Sequence, residues 1–93
     1  MFSWDARKAL GNIKKHGVSF EEAATVFSDP EALDWDDVEH SPTEPRSIRL
    51  GFSISERILF VVYTIRRFIH EKETIRIISA RQATRKERQA YAR

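Results

Sequence analysis

Twelve of the sixteen Lys and Arg residues fall between Arg46 and Arg93, and arginine dominates there: Arg46, Arg49, Arg66, Arg67, Arg76, Arg81, Arg85 and Arg88 stand against Lys72 and Lys86. The planar guanidinium fork suits two-point contact with phosphate oxygens. It also stacks on unpaired bases, the usual way single-stranded RNA is held. RNA cleavage without a metal needs a base to take the 2′-OH proton, cations around the crowded phosphorane and an acid for the leaving 5′ oxygen. Lys8, Lys15, His16 and Tyr63 are proton-moving or cationic groups placed near the basic segments. Each also has a plainer role. His16 ends a run of cations that suits a helix C-terminus, Lys8 and Lys15 fit a solvated helix face, Arg76 fits the wet side of a strand, and Tyr63 fits a core strand. Arg81 is harder to dismiss, because it precedes a helix start that itself favours anions. Tyr91 is expected to pack back on the sheet, and His40 and Glu44 lie in a loop without informative spacing.

Other chemistries are excluded by what is missing. The chain has no cysteine, which removes disulfides, thiol nucleophiles and thiolate zinc sites. His16, His40 and His70 show no i, i+4 pairing, so no metal site or cofactor is expected. No P-loop, G-x-S-x-G or dinucleotide fingerprint occurs, and three glycines are too scattered to cradle a nucleotide. The run Ile58–Tyr63 is too short to span a bilayer and no signal-peptide pattern is visible, so a cytoplasmic protein is expected. Ninety-three residues, 41% hydrophobic, make one domain over residues 1–93 with a modest core. The net charge of +2 hides a segregation: residues 19–45 hold nine acids and no Lys or Arg. That pattern fits an acidic face beside a phosphate-binding one, or an acidic middle paired with basic ends.

The elements that must position these residues are legible from spacing. Phe2 and Trp4 alternate as a short strand. Asp5 caps a helix whose apolar residues Ala6, Ala9, Leu10 and Ile13 recur on one face, with Lys8, Asn12 and Lys15 on another. Gly17 ends it. Ser19 with Glu22 forms a capping box, stapled by Val18 and Ala23, for a second helix that stops at Asp29-Pro30. Leu33 and Trp35 mark a short peripheral strand, and His40 to Pro45 a loop. Ile48, Leu50, Phe52 and Ile54 alternate as a strand, Ser55-Glu56 turns the chain, and Arg57 to Arg66 is apolar on both faces and therefore central. Thr74 to Ala80 alternates again, and Thr84 with Glu87 starts a basic last helix. The expected class is α+β, with two N-terminal helices and a C-terminal helix packed on one face of an antiparallel sheet.

Two blocks carry a family resemblance. Phe2-x-Trp4-Asp5-x-x-Lys8-x-x-x-Asn12-x-x-Lys15-His16-Gly17-Val18-x-Phe20-Glu21-Glu22-Ala23 is similar to the opening of the BrnT toxins. Val62-Tyr63-Thr64-x-Arg66 and Arg76-Ile77-Ile78-Ser79-Ala80-Arg81-x-Ala83-Thr84-x-x-Glu87-Arg88-x-x-Tyr91 resemble its closing blocks. The resemblance implies a RelE-like fold and a ribonuclease that arrests translation. It also implies neutralisation by a BrnA-type ribbon-helix-helix antitoxin, in a heterotetramer with two toxin chains that meets DNA only through the antitoxin. Two positions depart from the family pattern: Ser55-Glu56-Arg57 where the turn often carries glycine, and Gln82 where a basic residue is common.

Together these readings set the expectations. Arg66, Arg76 and Arg81 hold the scissile phosphate and its neighbours; Lys15 and His16, with Tyr63, move protons; Arg49, Lys8, Asn12 and Arg88 complete the RNA contact. The alternative, from a different class, is a non-catalytic nucleic-acid-binding or protein-interaction module.

Overall fold

The computed structural model describes residues 1–39, 44–67 and 72–92. Strand β1 (Phe2–Ser3) leads into α1 (Ala6–His16), α2 (Phe20–Thr25) and one 3-10 turn (Val26–Ser28). Strands β2 (Leu33–Asp36), β3 (Ser47–Phe52), β4 (Ile58–Arg67) and β5 (Glu73–Gln82) follow, and α3 (Arg85–Tyr91) comes last. The loop expected from His40 lies outside the described residues as far as Thr43, and His70 lies outside them too. No helix among the described residues is long and apolar enough to cross a membrane.

The caps form where the sequence places them. Asp5 accepts the N–H groups of Arg7 and Lys8, and Gly17 closes α1 in the left-handed region at φ 67°. Ser19 accepts the Glu22 N–H at 3.0 Å. Its box stays half-made, because the Glu22 carboxylate turns instead to Ser53 and Arg57. The Thr84–Glu87 box is complete in both directions. At the β3–β4 turn Glu56 takes a φ of 62°, which explains why a glycine is favoured there. Ile54, expected in a strand, belongs to this turn and is 80% exposed.

The sheet runs β1-β5-β4-β3-β2, with the apolar β4 at its centre. It is mixed rather than wholly antiparallel. Phe2 and Ser3 pair in parallel with Ile75 and Arg76, while the other neighbours are antiparallel. Short turns exclude parallel pairing only between consecutive strands. The first and last strands are separated by nearly the whole chain and escape that limit.

On one face Val18, Phe20, Ala23 and Val26 pack on Leu59, Val61, Ile77 and Ala80. Gly51 permits the closest approach: a Cβ there would stand 2.9 Å from the Val26 Cβ, so any side chain must displace that contact. The row Leu33–Leu50–Phe60–Arg81 points to the other face, because side chains alternate along a strand. Glu87 of α3 grips Arg81 there. The three helices are therefore divided between the two faces, instead of sharing one. Opposite Val62 and Tyr63 the extra residue Ile78 makes a bulge in β5, which resets the alternation along that strand.

Helix α1 differs from its expected orientation. Ala9 touches the core, but Leu10 and Ile13 are 65% and 44% exposed, whereas Asn12 is buried. The polar demands of β5 explain the rotation. The N–H and C=O of Ala80 lie on the outer side of the strand, and Asn12 satisfies both with one carboxamide, at 3.1 and 2.7 Å. Its Nδ2 also donates to Val18 O at 2.9 Å. Leaving such groups buried and unpaired costs more than exposing two aliphatic side chains that are only partly coverable at this edge.

Candidate active site

The Asn12–Ala80 contact fixes α1 alongside β5 and so fixes what flanks the seam. Residues at −4, +3 and +4 from Asn12 share its side of the helix; these are Lys8, Lys15 and His16. Lys8 and Lys15 are exposed and His16 is half-buried. Arg76 stands half-buried on β5, opposite Ser3 and Thr64. It lies near the start of α1: the backbone N–H of Lys8 holds the Asp5 carboxyl below its ordinary range, and the charges of Lys8 and Arg76 add to the effect. Among the described residues no hydrogen bond or ion pair engages the side chains of Lys8, Lys15, His16 or Arg76.

Lys8 and Lys15 are separated by about 10 Å along the helix axis. Helix α1 runs alongside β5 from the level of Arg76 to that of Ala80, so Lys15 and His16 lie farther along the seam, beside the Gly17 carbonyl that Arg57 binds. Arg66 belongs to the same end of the sheet. The register Thr64–Arg76 and Arg66–Thr74 makes Arg66 and Arg76 diagonal neighbours on one face. Arg66 carries only an exposed pair with Glu44, at 3.1 Å, which exchanges readily for another anion. This end of the sheet thus presents Lys8 and Arg76, free of hydrogen bonds and ion pairs among the described residues, and Arg66, which is loosely held.

The remaining expected residues are committed elsewhere. Arg81 forms a two-point pair with Glu87, at 2.8 and 3.0 Å, and stacks 3.9 Å over the Phe60 ring. It lies about 15 Å along β5 from Arg76, and its fork is already filled by Glu87. Arg49 points into the helix-covered face, where it donates to Val26 O and Asp29 O and pairs with Asp34. Arg88 donates to Ala83 O inside the α3 start. Asn12 is the seam's latch, with its carboxamide fully used. Tyr63 is buried edge-on to Phe27 and donates to Asp34 at 2.9 Å.

Several polar residues that the sequence did not single out hold this scaffold. Arg57 binds the Glu22 carboxylate and Gly17 O, tying the α1–α2 junction to β4. Arg57 keeps Glu22 below its ordinary range, with Ser53 assisting against burial. Asp29 accepts from the Tyr91 hydroxyl, at 2.6 Å, and from Phe52 N, anchoring the end of α3. Only burial of the aligned apolar residues around them could have signalled these long-range pairs. By contrast, Asn12 carried a sign: asparagine is a poor residue for a helix interior unless its side chain has a task.

Both tyrosines report on these contacts. Burial and then the Asp34 carboxylate push Tyr63 up to about 12, and the Asp29 bond pushes Tyr91 up to about 12. A folded-state value above the unfolded one favours the protonated form. The stabilisation is therefore complete below pH 10 and is lost as the pH rises from 10 to about 12. Tyrosinate absorbance should accordingly appear near pH 10 in the denatured chain but well above it in the folded one. Coincident titration curves would contradict both contacts. At neutral pH Tyr63 keeps its proton and serves Asp34.

The described residues hold no group of three or more acidic or histidine side chains arranged to bind a metal. What the seam offers is concentrated positive charge, a histidine and lysine on a fixed helix, and an open approach, an arrangement suited to a polyphosphate backbone.

The chain is similar in fold to the crystal structure of the Brucella abortus ribonuclease toxin BrnT, with a TM-score of 0.63 over 91% of this chain and 99% of that one, at 22% identity. Among curated proteins none is similar enough in sequence to count as a match. A family model described as the ribonuclease toxin BrnT of type II toxin–antitoxin systems matches residues 4–87. The caps, the seam and the start of the last helix fall within that span, and the chain belongs to the BrnT family of ribonuclease toxins of type II toxin–antitoxin systems.

Proposed function

We propose that this chain is a metal-independent endoribonuclease of RelE-like fold that cuts RNA along the α1–β5 seam. The observation that carries the reading is the line of basic side chains along the seam, Arg76 and Lys8 at its start and Lys15 and His16 farther on, none of them engaged in a hydrogen bond or ion pair among the described residues. In this reading Arg76 and Lys8 hold the scissile phosphate, and Arg66 holds its neighbour after releasing Glu44. His16 and Lys15 manage the protons: one takes the 2′-OH proton and the other supplies charge or a proton to the leaving 5′ oxygen. The 2′ oxygen attacks phosphorus and the bond to the 5′ oxygen breaks, which leaves a 2′,3′-cyclic phosphate and a 5′-OH. Arg81, Arg49, Tyr63 and Asn12 act as positioning residues, and Arg88 adds charge beside α3.

A type II system implies a protein antitoxin. We assign it the ribbon-helix-helix class, with a dimer carrying two toxin chains and making the complex's operator contacts, and we place the toxin's action in the cytoplasm. The test is induced expression without the antitoxin. Induction should arrest growth and fragment cellular RNA, and co-expressed antitoxin should restore both. Growth and RNA left intact by a well-expressed, folded chain would favour a binding module instead.

A further inference from the structure

The acidic segment of the chain has no part in the seam, and it forms the opposite edge of the sheet. β2 is the outermost strand on that side, and all four of its residues are exposed. Asp37 N–H donates to Arg46 O at 2.9 Å. In an antiparallel ladder, pairs that exchange hydrogen bonds alternate with pairs that do not. Along the register Trp35–Ile48 and Leu33–Leu50, the bonded rungs therefore fall at Trp35 and Leu33. The N–H and C=O groups of Asp34 and Asp36 face outward, away from β3.

An edge with outward backbone groups is a template for another strand. Its side chains define what that strand must be. Leu33 and Trp35 are 41% and 42% exposed and share a face with Phe60, 6.0 Å from Trp35 in an edge-on contact. Asp34 and Asp36 point to the other face, and Asp37 and Glu39 continue the acidic run. A second copy of this chain would set the acidic run from Asp36 to Glu39 against its own kind, and RNA would be repelled by the same charges. A strand alternating apolar with Lys or Arg residues bonds the outward backbone groups, covers Leu33 and Trp35 and meets the exposed Asp36.

We propose that the β2 edge docks a basic, extended segment of the protein antitoxin, which adds to the sheet as a further strand beside β2. The proposal rests on the reading of the chain as an antitoxin-neutralised toxin. The added strand bonds the backbone of Asp34 and Asp36, lays its apolar residues against Leu33 and Trp35, and turns its cations to Asp36, since the Asp34 carboxylate is held by Arg49 and Tyr63. Because β2 and β5 lie on opposite sides of β4, this contact leaves the seam to a separate part of the antitoxin.

The test uses the full chain and a short synthetic peptide of alternating valine and lysine, with a valine–glutamate peptide as control. Amide exchange should show Asp34 and Asp36 protected by the Val–Lys peptide only. Asp36→Pro removes an outward donor without touching the β3 ladder, and should weaken binding about tenfold; Asp36→Asn should weaken it in a salt-dependent way. Unprotected Asp34 and Asp36 amides, equal binding of the two peptides, undiminished binding by both Asp36 variants, or a self-dimer through this edge would each overturn the proposal. Should Asp36→Pro not fold, amide protection and Asp36→Asn still decide. RNA cleavage by the free Asp36 variants should match the parent chain. A parent that fails to cut RNA refutes the catalytic reading, while peptide protection of the edge is measured independently of it.

Discussion

Arg76→Ala should cut RNA about 100-fold more slowly than the parent chain, with no measurable change in melting temperature. The two halves of this expectation have separate causes. Arg76 makes no ion pair or hydrogen bond among the described residues, so the fold loses little when it is shortened. In the proposed reaction its guanidinium meets charge that is still developing in the transition state, where a preorganised donor is worth most. Arg76→Lys should recover only part of the rate, since it keeps the charge and loses the fork. Arg81→Ala should behave the other way. Its loss releases Glu87, the carboxylate that Arg81 holds below its ordinary range and that also caps α3, so the main effect should be on stability. A rate for Arg76→Ala within a fewfold of the parent would remove Arg76 from the phosphate site.

Asn12→Ala should destabilise the chain by about 3 kcal/mol, lowering its melting temperature by roughly 15 °C. The substitution suits a helix interior by propensity, so the loss must come from tertiary contacts. Three buried bonds disappear together: Ala80 N and O and Val18 O lose their shared partner. Asn12→Asp keeps the acceptor for Ala80 N but sets a carboxylate against two carbonyl oxygens, and should be at least as damaging. Thermal unfolding followed by circular dichroism measures both variants. Unchanged melting of Asn12→Ala would mean that α1 is held to β5 by apolar packing alone, and the alignment of Lys8, Lys15 and His16 with Arg76 would lose its basis.

Local signals in the sequence were strong. Asp5, Gly17, Ser19 and Thr84 act at helix ends through neighbours in sequence, and each caps the helix that its spacing indicated. The alternation of Ile48, Leu50 and Phe52 and the doubly apolar run after Arg57 likewise marked β3 and the central β4. What the sequence concealed depends on partners far away along the chain. The pairing of Phe2 with Ile75 turns an antiparallel sheet into a mixed one. The bond of Asn12 to Ala80, sixty-eight residues away, rotates α1 and exposes the apolar residues expected to face inward. The arginines posed the same difficulty in sharper form. Arg49, Arg57 and Arg81 form ion pairs in the fold, while Arg76 acts on Asp5 only through its charge, and no local pattern distinguishes a paired guanidinium from an unpaired one.

In the proposed function this chain cleaves RNA by internal attack at the α1–β5 seam, with its own side chains supplying charge and proton transfer. End-group analysis of RNA incubated with the purified, antitoxin-free chain in excess EDTA tests it most directly. The expected fragments carry a 2′,3′-cyclic phosphate and a 5′-OH, and they disappear with the Arg76→Ala chain. RNA that stays intact in EDTA and is cut once magnesium is restored, leaving a 5′-phosphate, would contradict the account.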